Sequence, residues 1–327
     1  MKSITSKIVK SIQGHRSKES IGFLGGGQLE CERISSQSVL LDEILGGGFP
    51  LGRVVEIYGS EGSGKTTVAL HLLAENQSQG GISAFIDVEH ALDPQYAEVI
   101  GIDKEDLIFS QPGSGEEAFE LVMDIMEGKR KLSESAHLVI VIDSVAALAS
   151  RDELSGEITD LKIAPVARLL SQSLRRIVST IRETNTVLVF INQLRERIGR
   201  WGLSSYSTGG KALKYYSSVR LELMSTKKVK DREKMIGQIV RATVVKNKTA
   251  PPFQTAEFQI IWGQGIDILH SVVIFAEKYD VIKKVGGWYV FGDFKVQGIK
   301  RLIDKISTDE GLYDSLWEAI MKVKEDS

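Results

Sequence analysis

The 327-residue chain has little of what disulfide-bonded, zinc-bound or membrane proteins depend on. Its one cysteine, Cys31, excludes an intrachain disulfide and points to a reducing, cytoplasmic setting. One cysteine and five scattered histidines offer no zinc spacing. No apolar run approaches the roughly 18 residues that cross a bilayer, and the first 20 residues lack the apolar stretch of a signal peptide. Neither a membrane partner nor export is expected. Net charge is only −2, so any contact with nucleic acid must come from local patches. There is no internal repeat and no low-complexity tract. What is there is an ordinary globular composition, 42% hydrophobic and 26% charged, with length for one large domain plus appendages.

The most informative segment is Gly59-Ser60-Glu61-Gly62-Ser63-Gly64-Lys65-Thr66-Thr67. It follows the apolar run Val54–Tyr58 and precedes a helical pattern, the strand–loop–helix context that gives G-x-x-x-x-G-K-[ST] its meaning. The glycines let backbone N–H groups turn inward and, with the start of the next helix, cradle phosphate oxygens. Lys65 is expected to reach the β- and γ-phosphates of a nucleoside triphosphate, and the Thr66 hydroxyl to coordinate Mg²⁺.

Residues 1–20 read as a basic amphipathic helix, with Ile4, Ile8 and Ile12 on one stripe and Lys2, Lys7 and Lys10 between. Such a stripe must pack on its own core or on a neighbour. Glycine runs at 25–27 and 46–48 act as joints, the second after a helix over Leu40–Leu45. Strands over Ala84–Val88, His137–Ile142 and Val187–Ile191 then alternate with helices over Gly115–Met126 and Ala164–Thr184. Short apolar strands alternating with helices predict an α/β fold with a mostly parallel sheet covered on both faces. Beyond Tyr206 the pattern turns antiparallel, with strands over Ser218–Met224, Ile239–Val245 and Ala256–Ile261 and a charged hairpin around Lys227–Lys234. The division expected is an arm over 1–34, a core over 35–265, and a small α+β domain over 266–327. That last part would hold a strand pair with Trp288, Tyr289 and Phe291 and a helix over Leu312–Val323.

Several polar residues then ask for a role. The apolar strand before Asp143-Ser144 ends in an acid at the ligand-binding edge of the sheet, where Asp143 would hold the water shell of Mg²⁺. Glu89, 24 positions past Lys65, lies just beyond a strand end. It could orient the attacking water, or it could be a solvated carboxylate. His90 reads more readily as a surface histidine. The buried strand Phe190-Ile191 ends in Asn192-Gln193, an amide well placed to detect a phosphate. Leu194–Thr208 follows without regular pattern and carries Arg195, Arg197, Arg200 and Trp201. Basic groups around an aromatic suit single-stranded nucleic acid. Arg168, Arg175 and Arg182 recur every seven residues along one helix face, and a second irregular stretch, Ser155–Pro165, precedes that helix. Lys246-Asn247-Lys248 ends a strand, and residues 225–248 carry eight Lys/Arg against two Asp/Glu. The two lysines are either part of a surface patch or an anion site, such as the phosphates of a neighbouring subunit's nucleotide.

Taken together these blocks resemble the bacterial RecA recombinase family. The resemblance is carried by Leu41-Asp42 through Leu45–Gly52, Glu56–Thr67, Phe85–Pro94, Val139–Leu148, Phe190–Gln193, Thr208–Lys214 and Val244–Lys248, in family order and near family spacing. It covers roughly residues 35–300. It implies a RecA-type ATPase core that uses ATP and Mg²⁺, and a helical homo-oligomer on single-stranded DNA that pairs with duplex DNA and exchanges strands. Mediator or loader proteins would be further partners. By resemblance Glu89 activates water, Asp93 and Tyr96 contact adenine, Gln193 senses the γ-phosphate, and Lys246 and Lys248 reach the next subunit's ATP. Lys214 and Tyr215 sit at an interface that transmits nucleotide state. The two DNA loops match Ser155–Pro165, with Ile163, Ala164 and Pro165, and Leu194–Gly210. The second loop holds Arg195, Arg197, Ile198, Gly199, Arg200, Trp201, Gly209 and Gly210. Arg168, Arg175 and Lys211 fall near phosphate-contacting positions, and the N-terminal helix resembles the arm that docks on a neighbouring core.

Departures accompany the match. The second loop is one residue shorter than usual, with Trp201 as its wedge, a place Leu203 or Tyr206 could also take. The first loop is bulkier and stiffer, and an insertion, Gly128–Ser135, precedes the Asp143 strand. No acidic tail precedes Ser327, which would loosen a brake on duplex entry and suggests a phage or mobile-element relative. Two rival readings share the core: a ring-forming DNA helicase or translocase, and an ATP-gated DNA scaffold with vestigial turnover.

Overall fold

The computed structural model describes residues 4–14, 31–132, 135–155, 165–199, 202–207 and 210–325. Two compact units are present, Met1–Glu32 and Arg33–Ser327. The first holds α1 (Ile4–Gln13), with Ile4 78% and Ile8 54% exposed; the rest of the helix expected over 1–20, beyond Gly14 and before Ile4, lies outside the described residues.

The second unit begins with β1 (Arg33–Ile34), α2 (Val39–Leu45) and β2 (Phe49–Pro50). The phosphate-loop strand β3 (Arg53–Gly59) and helix α3 (Lys65–Ser78) follow. Then come β4 (Ile82–Asp87), α4 (Pro94–Ile100), β5 (Leu107–Ser110), α5 (Gly115–Leu132), β6 (Leu138–Asp143), α6 (Arg151–Ser155) and α7 (Pro165–Glu183). The chain continues through β7 (Thr186–Gly199), β8 (Gly202–Ser207), α8 (Ala212–Tyr216), β9 (Val219–Asp231), β10 (Lys234–Asn247), β11 (Thr255–Ile261) and β12 (Gly265–Ile266). It closes with α9 (Ile268–Lys278), β13 (Lys283–Val285), β14 (Trp288–Phe291), β15 (Phe294–Gln297), α10 (Ile299–Thr308) and α11 (Glu310–Glu325).

One large sheet runs in the order β12-β11-β10-β9-β3-β7-β6-β4-β5. From β9 to β5 every neighbouring pair is parallel, whereas β9 to β12 pair antiparallel. All six residues of β6 are buried, as a strand covered on both faces requires. Two apolar clusters flank the sheet. One packs α3 and the C-terminal helices against it, and the other packs α5 and α7. Phe275, Leu302, Ile306, Leu316 and Ile320 of the C-terminal elements belong to the first cluster.

Four expectations need correction. Leu194–Thr208 is not irregular in its described part: β7 continues to Gly199 and pairs antiparallel with β8, from Leu194↔Ser207 to Gly199↔Gly202. No proline or glycine interrupts 187–198, so nothing stops the strand before Gly199. The Gly128–Ser135 insertion is largely helix, because α5 runs on to Leu132 with Lys129, Arg130 and Lys131 complementing the dipole of its last turn. Ser155, placed in a loop, closes the short helix α6. The strand pair expected near Trp288 is a three-stranded sheet, and α10 precedes the final helix.

Candidate nucleotide and nucleic-acid site

The phosphate loop leaves the carboxyl end of β3 and enters α3 at Lys65. Gly64 has φ +90°, and a Cβ there would sit 2.3 Å from Ile260 Cδ1. A Cβ at Gly59 would sit 2.2 Å from the Leu223 carbonyl oxygen. Both positions therefore require glycine. Lys65 Nζ donates to the Ser60 carbonyl at 2.7 Å, folding its ammonium over the loop. Burial lowers the Lys65 pKa, against the nearby carboxylates Asp143, Glu89 and Glu61. Thr66 Oγ1 donates to Asp143 Oδ2 at 2.7 Å, so the two expected Mg²⁺ residues meet. Burial pushes the Asp143 carboxyl up to about 6, opposed by that hydrogen bond.

Beside the loop opens a cavity of about 650 Å³ lined by Gly62, Gly64–Thr67, Asp93, Tyr96 and Trp262, among others. Asp93 caps α4, accepting from Gln95 N at 2.9 Å and Tyr96 N at 3.3 Å. The Tyr96 hydroxyl lies 3.0 Å from Thr67 Oγ1. Sequence reasoning missed the far wall: Val99, Gln238, Ile260, Trp262 and Gly263. Gln238 is buried on β10 and donates to the Gly62 carbonyl at 2.6 Å, pinning the phosphate loop from behind. The one signal in the sequence was an aromatic before glycine, Trp262-Gly263, after an apolar strand.

Glu89 is exposed, and its carboxylate is engaged by two side chains. Its Oε1 accepts from Ser144 Oγ and, at 2.9 Å, from Gln193 Nε2. Ser144 and Gln193 thus donate to one oxygen of Glu89, at the ends of the neighbouring strands β4, β6 and β7.

Lys246 and Lys248 lie elsewhere. Lys246 pairs in register with Arg220, which pairs with Glu56, three residues before Gly59 on β3. At about 3.3 Å per residue that places them about 10 Å below the phosphate loop along the strands, plus two strand spacings across. Lys246 Nζ donates to the carbonyls of Lys214 (2.7 Å) and Tyr215 (3.3 Å) at the end of α8. Burial and the charges of Lys248 and Arg220 lower its pKa.

Of the expected DNA residues, Ile163, Ala164, Arg200, Trp201 and Gly209 lie outside the described residues. Arg195, Arg197, Ile198 and Gly199 lie on the β7–β8 hairpin. Pro165 opens α7, whose Arg168, Arg175 and Arg182 are exposed opposite the buried Leu169, Leu170, Leu174, Ile177 and Ile181. A Cβ at Gly210 would lie 3.0 Å from Ala167 Cβ, so the second loop's exit, with exposed Lys211, abuts the first turn of α7.

The donor set is hard oxygen from Thr66 and Asp143, which suits Mg²⁺ carried mainly by phosphates and water. The cavity has the size and the flat side chains to take a nucleoside base. A phosphate loop on β3 and its acid on β6, with the amide-bearing β7 between them, define a P-loop nucleoside triphosphatase. Comparison with known proteins narrows this. The model of the RecA N-terminal domain matches residues 2–267. Protein RecA of Chlorobaculum parvum is 44% identical over 308 residues, covering 92% of this chain and 87% of the relative. Protein RecA of Lactiplantibacillus pentosus is 44% identical over 304 residues, 91% and 79% of the two chains. Protein RecA of Chlorobium chlorochromatii is 44% identical over 322 residues, 97% and 89%. The chain belongs to the RecA family. It is an ATP-dependent recombinase of DNA recombination and repair, a DNA-dependent ATPase that uses Mg²⁺ and works on single- and double-stranded DNA as a filament. Among the described residues no helix is long and apolar enough to cross a membrane.

Proposed function

We propose that this recombinase shares each nucleotide between two protomers. One protomer supplies the phosphate loop 59–67, Asp143, Asp93, Tyr96, Glu89 and Gln193. Its neighbour supplies Lys246 and Lys248. The observation that carries this reading is the sheet register, which sets Lys246, with Lys248 just past the strand, at the end of β10 away from their own phosphate loop. A lysine side chain cannot bridge that separation, whereas an adjoining protomer can present it. Half-buried and crowded by positive charge, the Lys246 ammonium gains by meeting phosphate oxygens.

The cofactor, Mg-ATP, brings the bond to be cleaved and the charge of its leaving group. Lys65 and the loop N–H groups would hold the phosphates, and Thr66 and Asp143 would hold the metal's water shell. Glu89 accepts a proton from water. Gln193 leaves Glu89 for the γ-phosphate and carries that movement along β7 into the DNA hairpin. Arg168, Arg175, Lys211 and residues 163–165 and 195–210 line the DNA groove. The arm, 1–34, uses Ile4 and Ile8 to dock on a neighbouring core, 35–265, and the exposed Ile108 and Phe109 of edge strand β5 offer an apolar receiving edge. Residues 266–327 form the small C-terminal domain, and the protein works in the cytoplasm.

Mixing two impaired variants tests the shared site. Lys246→Ala lacks the cation, and Glu89→Gln lacks the base. Mixed on single-stranded DNA, they form interfaces with both groups intact, and hydrolysis is expected to return. No recovery above the sum of the separate variants would reject sharing.

A further inference from the structure

A buried polar chain crosses three strands of the sheet, and the nucleotide chemistry above does not account for it. Glu56, fully buried on β3, accepts through Oε2 from Arg220 Nε of β9 at 2.5 Å. Its Oε1 accepts from Asn192 Nδ2 of β7 at 2.9 Å. Asn192 is also fully buried, and its Oδ1 accepts from the backbone N–H of Gln193 at 2.9 Å. Gln193 in turn donates to Glu89. The Arg220 guanidinium lies 4.6 Å from the centre of the Tyr58 ring.

Stability alone is a weak reason to keep such a chain. Desolvating two charges offsets most of their attraction, and apolar replacements of similar volume are often neutral. Position supplies a better one. Asn192 grips the backbone of the residue whose side chain holds the catalytic carboxylate. Arg220 pairs in register with Glu56 on one side and with Lys246 on the other. The chain therefore runs from the water-activating end of one nucleotide site to the edge bearing Lys246.

We infer that Asn192, locked by the buried Glu56–Arg220 pair, is the positioning residue that sets Gln193 against Glu89. Through Arg220 it also ties that pair to the Lys246 edge, a second half that rests on the shared-site reading. A chain of side-chain hydrogen bonds fixed at both ends constrains the amide far better than β7 alone, because each link has one satisfied geometry. No group in it needs to titrate. A shift of Lys246 on meeting a phosphate alters the surroundings of Arg220, and the shift is passed on as a change in where Gln193 rests.

The test is a steady-state ATPase titration on single-stranded DNA with the full-length chain. Asn192→Ala and the double variant Glu56→Met/Arg220→Met are each expected to lower kcat by about 10- to 100-fold. KM for ATP should stay within about twofold, because the phosphate-loop contacts are untouched. If either variant folds with wild-type thermal unfolding and keeps kcat within about twofold, the chain is packing only and the inference is overturned. If the double variant fails to fold, Asn192→Ala alone decides, since it leaves the ion pair in place. For the second half, Asn192→Ala is combined with Lys246→Ala. Action through one strut predicts a combined loss close to the larger single loss, and losses that multiply overturn the link. Failure of the mixing experiment above would reject the shared site while leaving the kcat loss of Asn192→Ala standing, so the two ideas fail separately.

Discussion

At the residue scale, His71 shows how a buried side chain sets a condition on the whole fold. Its Nε2 accepts from the Ile266 N–H at 2.8 Å, so its proton sits on Nδ1, 2.6 Å from Gln37 Oε1. Burial lowers its pKa from 6.5 to about 4. The unfolded chain therefore binds a proton that the folded chain refuses. The stability due to His71 is complete above pH 6.5 and is lost as pH falls toward 4, a loss of about 3 kcal/mol at most. Urea unfolding at several pH values in that window should show the slope in the wild type, and His71→Gln should remove this share of it. Glu89→Gln is the second prediction at this scale. Hydrolysis on single-stranded DNA should fall by about 10²- to 10⁴-fold, with ATP-dependent DNA binding retained. Equal turnover in variant and wild type would remove Glu89 from the base role.

At the scale of elements, α7 and the β7–β8 hairpin carry the charge that composition withheld from the molecule as a whole. Arg168 and Arg175 are exposed one heptad apart on α7. Replacing both by alanine should weaken single-stranded DNA binding and flatten the plot of log affinity against log salt by about 1.4, two phosphate contacts' worth. Trp201→Ala, between the paired Gly199 and Gly202, should cost about 1–3 kcal/mol in single-stranded DNA binding if the ring stacks on a base, with thermal unfolding unchanged. These elements were unevenly legible. The arginine spacing on α7 was plain, because a 3.6-residue period separates it from Leu169, Leu170 and Leu174. The hairpin was not, because its strands match no apolar pattern: charged residues interrupt Leu194–Ile198 and serines fill Leu203–Ser207. Pairing partners, not side-chain periodicity, make those residues strands.

At the scale of the whole molecule, the prediction concerns assembly. Ile4 and Ile8 stand exposed on α1. Ile4→Glu with Ile8→Glu should abolish filaments on single-stranded DNA with Mg²⁺ and a slowly hydrolysed ATP analogue, seen by negative stain, and leave thermal unfolding unchanged. Filaments of normal length would move the polymerisation contact away from α1. Linkage adds a sign: if ATP strengthens DNA binding, DNA strengthens ATP binding by the same factor.

The sequence by itself determined the parts whose chemistry is local. A glycine-rich loop between strand and helix holds phosphates wherever it occurs, and an apolar strand ending in Asp143 presents its acid at the sheet edge. Tertiary structure decided what depends on which strands are neighbours. Trp262, Gln238 and Gly62 meet only because β10 and β11 fold back beside the phosphate loop. Lys246 lies at the end of β10 away from its own phosphate loop only because β10 runs antiparallel to β9 in one register. Glu56, Asn192 and Arg220, far apart in sequence, touch because β7 and β9 flank β3. A contact between distant segments leaves no periodic trace in either one, so no local pattern could have announced it.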